Sequence, residues 1–349
     1  VGDYETALDK ALAAADYKAL RAEQAKRRAS GDAKQLGIGV SVYVEITGGV
    51  GNGESAKVEV LEDGRAVVYT GTSPHGQGHD TAWSMLVQEQ TGIPMDRIEL
   101  VWGDTDLVPI GTGTMGSRSL QQGGNAVFQV AGTLAEKAKS VAARLLEVSE
   151  ADVVLDKARG AFHVVGTPAV TKTWADLAVA EKSTGGLLHD EVINVSGATF
   201  PFGAHVAVVE VDTETGRVKH LRQVACDDAG KVLNPMLLDG QIHGGVAQGV
   251  AQALLEEVLY DADGNPTTSN LADYGFISAA ELPNVEVIHM ETPTPVNAIG
   301  AKGIGESGTI GSTPAIQSAV VDAVSHLGVK HIEMPCTAER VWRAIQAAQ

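Results

Sequence analysis

The stretch "AKVEVLEDGRAVVYTG" (56–71) sets two alternating runs on either side of Asp63-Gly64, and "HVAVVEVDTETGRVKHLRQVACDDAG" (205–230) repeats the arrangement around Thr215-Gly216. Alternation of period two across a tight polar turn specifies an antiparallel hairpin, which needs no crossover helix. A shorter hairpin reads from "VVLDKARGAFHVV", and single strands from 36–47, "RIELVWGDTD" and "EVIHMET". Helical periodicity predicts helices over 5–28, 79–92, 125–147 and 236–260, with shorter ones at "TWADLAVAEKS", "TPAIQSAVVDAVSHLG" and "TAERVWRAIQAA". "GGVGNGES" reads as a turn or loop. Hairpins dominate over single crossovers, so the pattern favours α+β, with hairpin-rich mixed sheets packed by helices, over a doubly wound parallel sheet. Two lobes are expected. Residues 1–35 form an N-terminal helical segment, 36–150 a first lobe completed by 300–349, and 151–299 a second; 300–349 carries a glycine loop and the C-terminal helices.

Composition narrows the function classes. A net charge of −18 argues against nucleic acid, whose phosphates demand Lys/Arg stripes. The two cysteines, Cys226 and Cys336, are too few for a disulfide framework, a four-cysteine zinc site or an iron–sulfur cluster within this chain. They fit a reducing, cytoplasmic compartment. The opening "VGDYETALDKALAAADYKAL" is a charged amphipathic helix and not a signal peptide, and no apolar run reaches the roughly 18 residues that span a membrane. With no initiator Met, the chain reads as a fragment or processed piece.

Several motifs carry chemistry. In "AKGIGESGTIGS" (301–312), Glu306 stands among Gly303, Gly305, Gly308 and Gly311. Glycine-rich loops usually cradle an anion on backbone N–H groups, which a carboxylate would repel. A carboxylate facing a neutral or metal-bound hydroxyl acts instead as a general base. Thr309 occupies the last glycine position of a nucleophile elbow, so Ser307 does not mark a serine hydrolase. "GTGTMG" (Gly111, Gly113, Gly116) and "GIGESG" match G-x-G-x-x-G, but neither follows a strand directly and opens a helix, which disfavours a dinucleotide site.

"HGQGH" spaces His75 and His79 like half of a zinc-protease helix, although Gly76 and Gly78 break helices and the glutamate base is missing. It also reads as a turn with His79 or Asp80 near an N-cap, or as a platform on which the Gly76 and Gly78 amides and Gln77 hydrogen-bond a heterocycle or oxo group. "GSRS" (Gly116, Ser117, Arg118, Ser119) suits a phosphate gripped by Arg118, or an ordinary polar loop. In "GQIHGGVAQG", Gln241 and Gln248 share a helix face with Gly244 and Gly245 near it, as a close-approach face for a ligand or for another helix.

Three stretches taken together, "SPHGQGHDTAWSMLVQEQTGIPMDRIELVWGDTDLVPIGTGTMGSRSLQQGGNAV", "DDAGKVLNPMLLDGQIHGGVAQG" and "AKGIGESGTIGSTPAIQSAVVDAV", strongly resemble the molybdenum hydroxylases. This is the xanthine dehydrogenase, aldehyde oxidase and carbon monoxide dehydrogenase family, and the resemblance is to the C-terminal part of its molybdopterin-binding large subunit. It implies hydroxylation of an aldehyde, N-heterocycle or related small substrate, with water as oxygen source. Gln77 would lie by molybdenum, with Gly76, Gly78, Met115, Gly116, Ser117, Arg118, Ser119, Asp228, Asn234, Gln241, Gln248, Lys302, Gly303 and Gly305 forming the cofactor bed. Glu306 would take the proton from a molybdenum-bound hydroxyl while hydride passes to a sulfido ligand. No side chain would ligate the metal, which the pterin dithiolene holds. "GESG" leans toward bacterial members, which often carry the cytosine dinucleotide form of the cofactor. Iron–sulfur and FAD modules would sit on partner chains. The family's N-terminal half, with the substrate-pocket loop and the copper-binding cysteine of carbon monoxide dehydrogenases, has no counterpart in this sequence and would be a further partner. The rival readings are a noncatalytic, cofactor-free fragment or assembly module and, in another class, a zinc hydrolase using His75 and His79.

Overall fold

The computed structural model describes residues 2–48, 53–195 and 197–348; of the turn or loop expected over 48–55, residues 49–52 lie outside them and Glu54 and Ser55 open a strand. In chain order the helices are α1 (Tyr4–Ala14), α2 (Tyr17–Ser30), α3 (His79–Thr91), α4 (Asn125–Leu146), α5 (Trp174–Glu181), α6 (Pro235–Leu254), α7 (Ser307–Val324) and α8 (Ala338–Ala348). The strands are β1 (Lys34–Val44), β2 (Glu54–Val60), β3 (Ala66–Thr70), β4 (Ile98–Val101), β5 (Val153–Asp156), β6 (Ala161–Val164), β7 (Thr167–Thr173), β8 (Leu187–Ile193), β9 (Phe202–Asp212), β10 (Val218–Asp228) and β11 (Val285–Met290). The class is α+β, in two compact units.

The first unit gathers Val1–Ile46, Phe200–Thr292 and Ile304–Gln349 around a sheet of order β1-β9-β10-β11. β9 pairs antiparallel with both β1 and β10, and β11 joins β10 in parallel. Alternate residues of β9 serve opposite faces. Phe202, Ala204 and Val206 pack under α1 through Ala7, Ala11 and Ala15, whereas Ala207, Val209 and Val211 pack with α6, α7 and α8. Covered on both sides, β9 is buried almost throughout, and each such valine contributes about 1.5–3 kcal/mol relative to exposure.

The second unit, Thr47–Thr199 with Pro293–Gly303, holds a sheet of order β4-β3-β2-β8 and a three-stranded meander β5-β6-β7. The amphipathic α4 seals it with Val127, Val130, Leu134 and Ala138, all fully buried. The hairpin about Asp63-Gly64 forms as expected, from β2 and β3.

The units do not divide at residue 150. Long-range pairing decides them: Val44 meets Phe202 and Lys34 meets Asp212, so β1 belongs with the second hairpin. The helix expected over 5–28 is two, broken where Asp16 adopts a left-handed φ of 51°. The helix expected to reach residue 260 stops at Leu254, where the Cys336 amide takes the Ala253 carbonyl at 2.7 Å. Conversely, α7 starts at Ser307, inside the stretch read as loop, and runs through Pro314.

Candidate functional site

That early start explains two of the glycines around Glu306. A Cβ at Gly308 would lie 2.8 Å from the Ile242 carbonyl and the Val246 amide of α6, and one at Gly245 would lie 2.9 Å from the Gly308 Cα. A Cβ at Gly311 would lie 2.6 Å from the His205 ring. These glycines seat α7 against α6 and β9, and that packing outweighs their poor helix propensity. Thr309 Oγ1 adds a bond to the Gly245 carbonyl at 2.9 Å. Glu306 is the exposed N-cap residue of this seated helix, its carbonyl accepting from the Thr309 and Ile310 amides at 3.1 Å.

Beneath the first turn of α7 lies a polar floor. Ser307 Oγ donates to the buried carboxylate of Glu45 at 2.6 Å. Tyr43 Oη donates to Asp227 Oδ1 at 2.6 Å, and His205 Nε2 donates to the same carboxylate at 3.0 and 3.2 Å. Tyr43 on β1 and Asp227 on β10 are both register partners of Gly203 on the intervening β9. A Cβ there would stand 2.1 Å from Asp227 Oδ1 and 2.7 Å from the Tyr43 ring, so the glycine is what lets a phenol reach across one strand. Burial, followed by the adjoining Asp227 carboxylate, holds the Tyr43 phenol well above its ordinary pKa, so it stays a donor.

The second unit contains the small-residue loops. Gly76, Gly113 and Gly116 carry positive φ with open space where a side chain would project. Gly78, at φ 81°, is the N-cap of α3, and no side chain caps that end. Helix N-terminal amides and open glycine backbone together suit an anion. The side-chain oxygen of Gln77 accepts from the His75 amide within the same loop. His79 is buried, stacked on Trp83 at 4.5 Å, with Nδ1 placed 3.2 Å from the Thr72 carbonyl; burial pulls its pKa down. Among the described residues no three His, Cys, Asp or Glu side chains are grouped to hold a metal ion, which removes the geometry a zinc site at His75 and His79 needs.

Arg118, expected at a phosphate, is paired within the protein through one of its nitrogens. It is 1% exposed, with Nη1 donating to the fully buried Glu54 carboxylate at 2.5 Å and to the Gly113 carbonyl at 2.9 Å. A desolvated carboxylate claims the guanidinium first, so Arg118 shapes the loop from behind. Ser117, at a left-handed φ of 51°, brings its carbonyl to where a Cβ on Gly303 would lie 2.0 Å away. Ser119 Oγ bonds Thr114 Oγ1 at 3.1 Å, while Met115 is exposed and Lys302 buried. In the first unit, Asp228 Oδ1 accepts from the Gly230 amide at 3.0 Å, and Asn234 caps α6 by accepting from Leu237 at 3.2 Å. Gln241 is half-buried, Gln248 and Gly305 are exposed, and Gly244 is open while its neighbour Gly245 packs.

Residues that sequence reasoning missed follow the GSRS loop. Ser119–Gly124 is a π-helical turn leading into α4, a form that clusters at functional sites. Gln121 Oε1 accepts from Thr199 Oγ1 at 2.5 Å and Asn125 Oδ1 from the Ala298 amide at 3.0 Å. Gln121 Nε2, Asn125 Nδ2, Arg118 Nε and Glu54 Oε1 are buried without a hydrogen-bond partner among the described residues. The polar run "LQQGGN" directly ahead of an apolar helix was the available signal.

The chain matches the molybdopterin cofactor-binding domain family over residues 10–283. It belongs to that family. The carbon monoxide dehydrogenase large chain of Hydrogenophaga pseudoflava is 40% identical, over 99% of this chain and 45% of its own length. Reconstituted carbon monoxide dehydrogenase from Oligotropha carboxidovorans superposes with a TM-score of 0.90 at 36% identity, over 99% of this chain and 45% of that one. Quinoline 2-oxidoreductase from Pseudomonas putida 86 gives 0.88 at 33%, over 99% and 46%. The chain thus spans about half the length of the curated relatives it matches. The donor set fits a molybdopterin group: glycine turns with room for a group to approach the backbone and a helix end without a side-chain cap suit its phosphate, and the orphaned Gln121 and Asn125 amides are donors of the kind a pterin's polar edge requires.

Proposed function

We propose that this chain is the molybdopterin-bearing part of a molybdenum hydroxylase large subunit, acting on an aldehyde, an N-heterocycle or a related small molecule, with Glu306 as its proton acceptor. One observation carries the reading. Within a cofactor-binding fold, Glu306 is an exposed carboxylate at the head of a helix whose seat is fixed by glycine contacts on two sides. When bound, the molybdenum–pterin group supplies two-electron oxidation with water as the source of oxygen.

The chain's own residues do the rest. The Gly76–Gly78 turn and the Gly113–Gly116 loop offer amides to phosphate, Gln121 and Asn125 offer buried donors, and Arg118 with Glu54 keeps the loop in shape. Glu306 takes a proton at its carboxylate. The cytosine dinucleotide form of the cofactor, iron–sulfur and flavin partner chains, the remainder of the large subunit and a cytoplasmic location complete the proposal. No helix among the described residues is long and apolar enough to cross a membrane.

Glu306→Gln in the full-length enzyme tests the assignment. Molybdenum content should be unchanged and turnover should fall by about 10²–10⁴-fold, the span of a positioned general base. Near-normal turnover would remove Glu306 from the chemistry.

A further inference from the structure

We infer that Tyr43, Asp227 and His205 are positioning residues for Glu306, fixing the first turn of α7 on the sheet so that the carboxylate keeps one direction. The inference rests on the proposal that Glu306 is the base. Its grounds are the polar groups that the N-terminal end of α7 meets on the sheet. From Ala315 onward the helix buries Ala315, Ile316, Ala319, Val320 and Ala323 completely, and Gln317 and Asp322 add bonds to the Ile332 carbonyl and the Ile38 amide. Its first two turns also rest on polar groups: Ser307 bonds Glu45, and Gly311 lies on the ring of His205, which donates to Asp227.

Apolar packing alone would have sufficed for stability, because replacing a buried polar pair by matching apolar groups is often neutral. Hydrogen bonds add direction. Tyr43 on β1 and His205 on β9 converge on the Asp227 carboxylate of β10, with Gly203 left bare where Tyr43 and Asp227 meet. That convergence ties β1, β9 and β10 together directly under the helix end that carries Glu306. Ser307, the next residue, is tied to Glu45, which directly follows β1. Freed from these ties, the first turn would keep its packing on α6 but lose its angular reference.

The test uses the full-length enzyme with its partner chains and two variants, Tyr43→Phe and Ser307→Ala, with Ser307→Thr as the conservative control. Turnover per molybdenum should fall by about tenfold or more in both, with KM within about twofold, since misplacement of a reacting group acts on the chemical step. Amide hydrogen exchange over 307–311 should quicken in both, and Ser307→Thr should restore both readouts. Losses that merely track lost molybdenum, or turnover and exchange like the parent's, would overturn the inference and leave the base assignment standing. If Glu306→Gln itself turned over normally, the base assignment would fail; unchanged exchange in Tyr43→Phe would then reject the anchoring separately.

Discussion

Replacing Arg118 by alanine should be one of the most damaging single changes in the second unit. The guanidinium is 1% exposed and its partner Glu54 is fully buried, so alanine would strand a carboxylate without its main counter-charge. Breaking one side of a buried pair costs about 3–5 kcal/mol. For a unit of this size that corresponds to a melting point lower by roughly 6–20 °C. The pH dependence carries a sign as well. Burial already raises the Glu54 pKa, with Arg118 opposing, and removing Arg118 raises it further. The folded state then holds a proton that the unfolded chain releases, so stability falls as pH rises from the unfolded carboxylate's pKa through the raised one. Calorimetry at pH 5 and pH 7 should therefore find the larger loss at pH 7. Arg118→Met combined with Glu54→Leu should recover most of it, because an apolar pair removes the stranded charge. A loss below about 1 kcal/mol for Arg118→Ala, or a double variant no better than the single, would refute the buried-pair account.

Other expectations follow from single observations. Gly311→Ala should cost about 1–3 kcal/mol by overpacking on the His205 ring, whereas Gly308→Ala meets backbone of α6 and should cost at least as much; chemical denaturation of both variants decides this. His220 is buried, and desolvation pulls its pKa to about 4, against partial opposition from the Arg222 carbonyl and Gln223. Its folded pKa lies below the unfolded value, so stability should be lost as pH falls through the interval from about 6.5 toward 4. His220→Gln should flatten that slope, and an unchanged slope would contradict the assignment.

Local pattern made much of the fold legible. Both long hairpins, α3 with its stop at Gly92, α4 and α5 stand close to where periodicity and capping residues predict them. Thr173 with Asp176 forms a full capping box on α5. What stayed illegible depends on distant partners. Nothing near "SGTIGSTP" says that Gly308 will meet Gly245, so the glycines read as a ligand loop and not as a helix seat. Arg118 beside serines reads as a phosphate grip because Glu54 lies far away in sequence. The floor under α7 was hidden for the same reason: Tyr43, His205 and Asp227 each look like ordinary strand residues until the register places them around Gly203. Glu306 stands out in the sequence as a lone carboxylate among glycines, and its position at the head of α7 depends on packing that the sequence does not display.

The most direct measurement of the central claim is elemental analysis of the enzyme purified with its partner chains from its own host. The account predicts molybdenum near one per chain, with a cytidine nucleotide released by acid. Absence of molybdenum from the assembled protein, or stoichiometric zinc in its place, would contradict it.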